Sequence, residues 1–171
     1  MTENTTSRRP RVLVGVDGSA PARAALEFAV GEARLRGAVL VAVMAVQLPD
    51  SAWIDPYGVR APGEDTLQRA RENLDRMLAS VNTEGLVLDP VVTAVPAPQA
   101  LVDRSADCDL LVVGSRGHGG LRGLVLGSVS MRCVLHGRCP VTVVRAEPQP
   151  AEPRRHQTLA DTRAETTAPF F

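Results

Sequence analysis

Short apolar runs and amphipathic segments alternate in the first third of the chain. Arg11–Val16 (RVLVGV) is an apolar run that stops at the turn and helix-cap residues Asp17-Gly18-Ser19, which predicts a strand followed by a helix. From Pro21 to Arg36, apolar side chains recur at helical spacing, at Leu26, Ala29, Val30 and Ala33. Ala38–Val46 is almost entirely apolar without period-2 alternation, which is typical of a parallel strand covered on both faces. Together these elements predict a βαβ unit with a right-handed crossover.

The same alternation continues to Arg145. An amphipathic helix is predicted over Asp65–Val81, and a third strand over Leu86–Val95, where Pro90 favours the edge of the sheet. A short helix, a buried strand, another helix and a last strand follow, at Pro98–Ser105, Asp109–Val113, Gly127–Leu135 and Pro140–Arg145. In the last helix we expect the core to be contacted by Val129, Val134 and Leu135.

Strands that alternate with helices predict one α/β domain on a five-stranded, mostly parallel, doubly wound sheet. This domain extends over residues 11–145. The flanking segments, residues 1–10 and 146–171, are polar or rich in proline and are predicted to be disordered. Gln47–Gly63 carries three prolines and is typical of a long loop between the second strand and the second helix.

Composition limits the functions open to this domain. All 19 basic residues are arginine, so a P-loop lysine, a Schiff-base lysine and a lysine general base are excluded. Basic and acidic residues balance at 19 each, and aromatic residues make up 3% of the 171 residues, which argues against a nucleic-acid partner. A phosphate ligand would therefore be bound by backbone amides, hydroxyls and arginine.

Cysteine usage and the lack of targeting segments favour a cytoplasmic protein. The three cysteines, Cys108, Cys133 and Cys139, have no CxxC spacing, which indicates reduced thiols, and we expect Cys133 and Cys139 to be small core residues. The N-terminal residues lack the apolar segment of a signal peptide. The longest apolar run has only the length of a strand, so we expect no membrane association.

The residues that could carry chemistry follow the fourth predicted strand. A glycine-rich loop, Gly114–Gly120 (GSRGHGG), is followed by a helix that opens at Gly127-Ser128, in the pattern G-x2-G-x9-G-S. We expect Gly114 and Gly117 to adopt positive φ angles and to let a ligand approach the backbone. The amides of Ser128 and Val129 at the helix N-terminus, with the hydroxyls of Ser128 and Ser130, then form a phosphate site.

Asp17 follows the first strand as Gly114 follows the fourth. In open α/β sheets, ligands bind outside the carboxyl ends of the strands, where the strand order reverses. If these two strands are neighbours, a carboxylate and a phosphate loop meet there, which suits a nucleotide. Two alternatives remain open: Asp17 could cap the first helix, with or without a ligand contact, and the loop could be rich in glycine for packing alone.

Four segments match a known family in sequence and in order: VLVGVDGS (Val12–Ser19), GAVLVAVMAV (Gly37–Val46), DLLVVGSRGHGGLRGLVLGSVS (Asp109–Ser130) and CPVTVVR (Cys139–Arg145). Over about residues 10–145 the chain resembles the ATP-binding branch of the universal stress protein family, whose signature G-2x-G-9x-G-(S/T) the third segment contains in full. The resemblance implies a Rossmann-like sheet in the order 3-2-1-4-5 and ATP bound between strands 1 and 4. It also implies a homodimer paired through the fifth strand, Val141–Arg145.

The resemblance implies a role for each matching residue. Gly15 and Asp17 match positions on the adenine and ribose side, and Ala45 matches the second-strand position near adenine. The ribose and phosphate loop corresponds to Gly114, Ser115, Arg116, Gly117, His118, Gly119 and Gly120. The triphosphate-binding helix start corresponds to Gly127, Ser128 and Val129. We expect ATP to be bound with Mg²⁺, which a triphosphate normally carries.

Two loop residues allow more than one interpretation. Arg116 could contact phosphates, or it could be a solvated arginine of an exposed loop. Histidine side chains ordinarily titrate near neutral pH, which suits a general base, but no second residue in the sequence is placed to orient His118. We therefore assign no catalytic residue.

Three functions from different classes remain open. The favoured one is an ATP-binding regulatory protein of the stress response. A weak ATP hydrolase is the second, and the absence of both lysine and a clear acid–base pair argues against it. A dimeric scaffold that binds no nucleotide is the third.

Overall fold

Strands and helices alternate through the described part of the chain. The computed structural model describes residues 8–46, 63–117 and 126–146. The strands are β1 (Arg11–Val16), β2 (Val39–Ala45), β3 (Val87–Thr93), β4 (Leu110–Gly114) and β5 (Val141–Val144). The helices are α1 (Ala20–Arg36), α2 (Glu64–Ala79), α3 (Ala97–Ser105) and α4 (Ser128–His136). Every element predicted from the sequence is present, with bounds that differ by at most a few residues.

The strands form one parallel sheet in the order β3-β2-β1-β4-β5. The chain builds outward from β1 through β2 to β3, then crosses back to β4 on the other side of β1 and ends at β5. The predicted fold class and strand order are confirmed. Pro90 lies in the edge strand β3, as expected for a residue that cannot donate to a ladder.

The sheet separates two apolar layers. Alternate side chains of β1 point to opposite faces: Val12 and Val14 pack with α1 and α2, whereas Leu13 packs in the layer of α3 and α4. The buried stripe predicted for α1 is confirmed at Leu26, Ala29, Val30 and Ala33. Because both faces of the central strands are covered, these strands carry continuous apolar runs.

Helix α4 departs from its predicted orientation. Val134 and Leu135 are 47% and 66% exposed, so the expectation that they face the core is wrong. The buried residues of α4 are Ser130 and Cys133, and Val129 is half-buried. This short helix buries only a narrow stripe of side chains. The side chains in that stripe are small because α4 packs closely on α3 and on the edge of the sheet.

The thiols belong to the apolar layer of α3 and α4. Cys108 and Cys133 are buried and Cys139 is half-buried in that layer, and all are free. Burial raises the pKa of the Cys133 thiol to about 11, and burial is also the main cause of the raised pKa of Cys108 and of Cys139. At neutral pH these groups therefore behave as small protonated core side chains, in line with the interpretation of Cys133 and Cys139 from the sequence.

The remaining predictions on chain organisation lie outside the described residues. These are the disordered end segments, apart from residues 8–10 and 146, and nearly all of the Gln47–Gly63 loop. None of the helices in the described ranges is long and apolar enough to cross a bilayer.

The first turn of α1 is capped by Ser19, whose Oγ accepts a hydrogen bond from the amide of Ala22 at 3.3 Å. Replacing Ser19 with alanine is expected to lower the free energy of unfolding by about 1 kcal/mol. For a chain of this size that corresponds to a fall in Tm of about 2–4 °C. Thermal unfolding followed by circular dichroism measures the change. Ser19→Thr, which keeps the acceptor, is the control, and equal losses in both variants would contradict the assignment of this cap.

Candidate functional site

The carboxyl ends of β1 and β4 meet at the point where the strand order reverses. The two strands pair in parallel, with Val12 opposite Leu110 and Val14 opposite Val112. The chain leaves β1 toward β2 but leaves β4 toward β5, so the following segments diverge and open a crevice there. The condition stated for a nucleotide crevice, that the first and fourth strands are neighbours, is met.

Asp17 and the glycine-rich loop touch in this crevice. The Oδ1 atom of Asp17 accepts a hydrogen bond from the Ser19 amide at 2.9 Å. Its Oδ2 atom lies so close to Gly117 that a Cβ on residue 117 would overlap it. Ser19 is therefore the N-cap residue of α1, and the alternative in which Asp17 caps this helix is wrong. The carboxylate instead lies between the start of α1 and the loop after β4.

Gly114 is a glycine for a different reason from the one expected. Among the described glycines, only Gly18, Gly37 and Gly85 have positive φ angles, so the expectation of positive φ at Gly114 and Gly117 is wrong. A Cβ on Gly114 would lie 2.7 Å from the Pro21 carbonyl carbon and 2.9 Å from the Ala22 amide nitrogen. Gly114 therefore permits the close approach of β4 to the first turn of α1.

The start of the glycine-rich loop is hydrogen-bonded to the N-terminus of α4 and to β5. The Gly127 amide donates to the Ser115 carbonyl at 2.8 Å, and the Ser115 amide donates to the Val144 carbonyl at 2.7 Å. The Ser130 hydroxyl, 2% exposed, lies 3.1 Å from the Ser115 carbonyl oxygen and 3.0 Å from that of Gly127. The hydroxyl of Ser130 thus binds the loop to α4, and the expectation that it serves as a ligand donor is wrong.

The N-terminus of α4 presents amides that no described residue accepts from. Gly127 is the N-cap residue, with φ −77° and ψ 165°, and no side chain caps the helix. The first amide bonded to the cap is that of Met131, which donates to the Gly127 carbonyl at 2.9 Å. The predicted amide donors, Ser128 and Val129, therefore precede the first hydrogen bond of the helix, where the helix dipole favours an anion.

Gly15 and Ala45 lie on the face of the sheet that α3 covers. Gly15 pairs with Val43, which packs in the layer of α3 and α4, and Ala45 has the same orientation two residues further on. A Cβ on Gly15 would come within 2.7 Å of Leu101 Cδ1. Gly15 is therefore small because Leu101 lies over it, and the adenine-side roles of Gly15 and Ala45 stay predictions.

The glycine-rich loop is described only in part. Ser115 is buried, Arg116 and Gly117 are exposed, and Arg116 forms no ion pair with a described residue. His118, Gly119 and Gly120 lie outside the described residues, so their predicted roles stay predictions. The described residues contain no group of three or more His, Cys, Asp or Glu side chains that could hold a metal ion.

Three contacts of this site have no signal in the local sequence. They are the packing of Pro21 on Gly114, the position of Leu101 over Gly15 and the bond from Ser115 to Val144. Each joins residues far apart in the chain. A glycine or serine in the sequence does not show which distant backbone approaches it.

Comparison with known proteins agrees with this geometry. A sequence model of the universal stress protein family matches residues 9–145. The chain belongs to the universal stress protein family. Among curated members, Universal stress protein Rv2005c of Mycobacterium tuberculosis (strain ATCC 25618 / H37Rv) is 41% identical over 140 residues, covering 78% of this chain and 45% of that protein. This universal stress protein thus spans about half the length of the curated relatives it matches.

Solved structures of other universal stress proteins share the fold. One from Archaeoglobus fulgidus, described in complex with dAMP, is 26% identical and superposes with a TM-score of 0.58 over 80% of this chain and 97% of its own. Another, described in complex with cAMP, is 25% identical with a TM-score of 0.55, over 82% of this chain and 99% of its own. These structures are universal stress proteins with adenine nucleotides bound.

Proposed function

We propose that this universal stress protein binds ATP, together with Mg²⁺, and acts as a nucleotide-dependent regulatory protein of the stress response. The observation that carries the proposal is the contact between the Asp17 carboxylate and Gly117, at the crevice between β1 and β4. A carboxylate suits ribose hydroxyls, and an adjacent glycine-rich loop suits phosphates. The adenine nucleotides bound to related structures support the same ligand class.

The nucleoside would occupy the side of the crevice that faces α3. Ala45 leaves little side-chain bulk at that end of the sheet, where adenine could lie beside the Leu101 side chain that covers Gly15. Asp17 is already oriented by the Ser19 amide, so it need not lose further side-chain freedom when it accepts a hydroxyl hydrogen bond. This arrangement favours a ligand with an adenine and a sugar diol.

The phosphates would extend along the loop toward α4. Ser128 and Val129 supply amides at a helix N-terminus without a side-chain cap, and Arg116 supplies an exposed cation. No lysine is required. Mg²⁺ would neutralise part of the triphosphate charge, with the Ser128 hydroxyl or Asp17 as the protein oxygens able to reach it.

Binding without turnover is the activity proposed. Hydrolysis needs a group that activates the attacking water, and the chain has no lysine and places no second residue in the sequence to orient His118, so occupancy is favoured over catalysis. The free thiols and the balanced charge support a cytoplasmic protein that binds no nucleic acid. The regulatory effect would arise because the nucleotide-bound and nucleotide-free forms of the protein differ.

Calorimetric titration of the full chain with ATP, with and without Mg²⁺, tests this proposal. We expect saturable binding at one site per chain, tighter with Mg²⁺, and release of ADP in less than one equivalent over several hours. A chain that binds neither ATP nor AMP would support the scaffold function instead. ADP release that continues through many turnovers and scales with protein concentration would support the ATP hydrolase.

We also propose a homodimer formed through the fifth strand, Val141–Arg145. Strand β5 pairs with β4, and no other strand of the described residues pairs with its outer edge, so another strand could pair there. The exposed apolar side chains of α4 lie next to it in the chain: Met131, Val134 and Leu135. A second copy could pair with the edge and cover that helix face.

Replacing Val143 with proline is expected to convert the dimer into a monomer. Leu111 donates to the Pro140 carbonyl and Ser115 to the Val144 carbonyl, so in a parallel ladder the Val143 amide points away from β4. Proline removes that outward donor and leaves the bonds to β4 in place. Light scattering during size-exclusion chromatography measures the mass, with Val143→Thr as the control. A specific dimer should have a dissociation constant below about 100 μM. A wild-type chain that is monomeric at that concentration would overturn the dimer.

A further inference from the structure

A second concave surface lies on the opposite face of the sheet from Gly15 and Ala45. It is a groove of about 400 Å³ between α1 and α2. Met44 and Met77 belong to the apolar layer on this face and line it, whereas Asp17 and Gly18 lie at its end near the crevice. Its volume falls in the range of small-molecule sites. Among the described residues, the proposed nucleotide site and this groove share Asp17, in the turn after β1.

Arginines from two helices, α1 and α2, line this groove. Arg23 of α1 donates from Nε to Glu27 at 3.3 Å and from Nη2 to the Ser80 carbonyl at 3.4 Å. Arg76 of α2 donates from Nε to the Glu72 carbonyl at 3.4 Å and from Nη2 to the side chain of Asn73. Within the described residues, Nη1 of neither arginine has an acceptor, and Arg76 pairs with no carboxylate.

The charged side chains that line the groove are two arginines, Arg23 and Arg76, and one carboxylate, Asp17 at the end near the crevice. Arg23 pairs with Glu27, which does not line the groove. The guanidinium of Arg76 remains uncompensated among the described residues. Its contact with Asn73 holds it in place, which lowers the entropy cost of binding a carboxylate or phosphate.

We propose that this groove is a second ligand site, for a small organic anion with an apolar portion. The anionic group would lie between the Nη1 atoms of Arg23 and Arg76, and the apolar portion would lie on Met44 and Met77. Methionine surfaces adapt to ligands of varied shape. The site would thus select ligands that carry a negative charge at one end and apolar surface at the other, and it would not recognise adenine.

Titration with 8-anilinonaphthalene-1-sulfonate, an aromatic sulfonate, tests this site. The full chain, labelled with ¹⁵N, is followed by two-dimensional NMR. We expect saturable shifts at the amides of Gly18, Asn73, Met77 and Ser80. In the double variant Arg23→Gln, Arg76→Gln we expect affinity to fall about tenfold or more, because two charge-assisted contacts are lost. The control is Arg71→Gln on the same helix, whose side chain donates to the Pro90 carbonyl of β3, and it should bind as wild type.

The outcomes separate this inference from the nucleotide proposal. Shifts that occur elsewhere, that do not saturate, or that persist unchanged in the double variant overturn the groove site. Competition between AMP and the sulfonate at the same groove residues overturns it as a separate site. Groove shifts that remain when AMP fails to bind support the groove while the nucleotide proposal fails.

Discussion

Alanine in place of Gly117 is expected to weaken ATP binding by about 10- to 100-fold, the loss that follows when a charge-assisted hydrogen bond is broken. The added Cβ would overlap Oδ2 of Asp17, whose other oxygen is already bonded to the Ser19 amide. The carboxylate must then rotate away or the loop must move, and either change separates Asp17 from the phosphate loop. Calorimetric titration with ATP and Mg²⁺ measures the effect.

Asp17→Asn is the companion variant, since it keeps the shape and the acceptor for Ser19 but removes the charge. We expect a loss of affinity of the same order in Asp17→Asn, with the far-ultraviolet spectrum unchanged in both variants. A glycine outside the proposed site serves as the matched control, because a Cβ on Gly31 of α1 meets nothing within 4 Å, and Gly31→Ala should bind ATP as the wild type does. Wild-type affinity in both Gly117→Ala and Asp17→Asn would show that the nucleotide does not contact the end of β1.

Alanine in place of Gly114 is expected to lower the free energy of unfolding by about 1–3 kcal/mol. Its Cβ would lie 2.7 Å from the carbonyl carbon and 2.8 Å from the carbonyl oxygen of Pro21, both backbone atoms of the first turn of α1. Backbone cannot rotate aside as a side chain can, so either β4 or α1 must shift. Urea unfolding followed by circular dichroism measures the loss.

For stability, Gly127→Ala provides the comparison. Its φ of −77° and ψ of 165° suit any residue, and the nearest atoms to an added Cβ, at 3.4 Å and beyond, are at ordinary contact distance. We expect a change in stability below about 1 kcal/mol, as for most substitutions without a clash. If Gly114→Ala and Gly127→Ala were equally stable, the close approach of β4 to α1 would not constrain residue 114.

The elements were predictable because their patterns are local. The apolar run Arg11–Val16 is β1 with the same bounds, and the helical spacing of Leu26, Ala29, Val30 and Ala33 marks the buried stripe of α1. Proline in Leu86–Val95 placed that strand at an edge, which β3 occupies. Covered parallel strands and amphipathic helices each leave a distinct spacing of apolar residues, so their order was sufficient for the fold class.

The candidate site was predictable in its location but not in its contacts. The signature glycines and Asp17 indicated the ends of the first and fourth strands, and the sheet brings those ends together. The expected positive φ angles at Gly114 and Gly117, the ligand hydroxyl of Ser130 and the inward orientation of Val134 and Leu135 were wrong. Each of these depends on which distant group lies beside the residue.

By itself the sequence determined the order of strands and helices, the absence of lysine chemistry and the position of the glycine-rich loop after β4. Only the tertiary structure decided that Gly114 makes room for α1, that Asp17 touches Gly117, and that Arg23 and Arg76 line the same groove between α1 and α2. The physical reason is the range of the interactions. Hydrophobic periodicity and capping act over a few residues and are written in local sequence, whereas excluded volume and hydrogen bonds between distant segments exist only once the chain has folded.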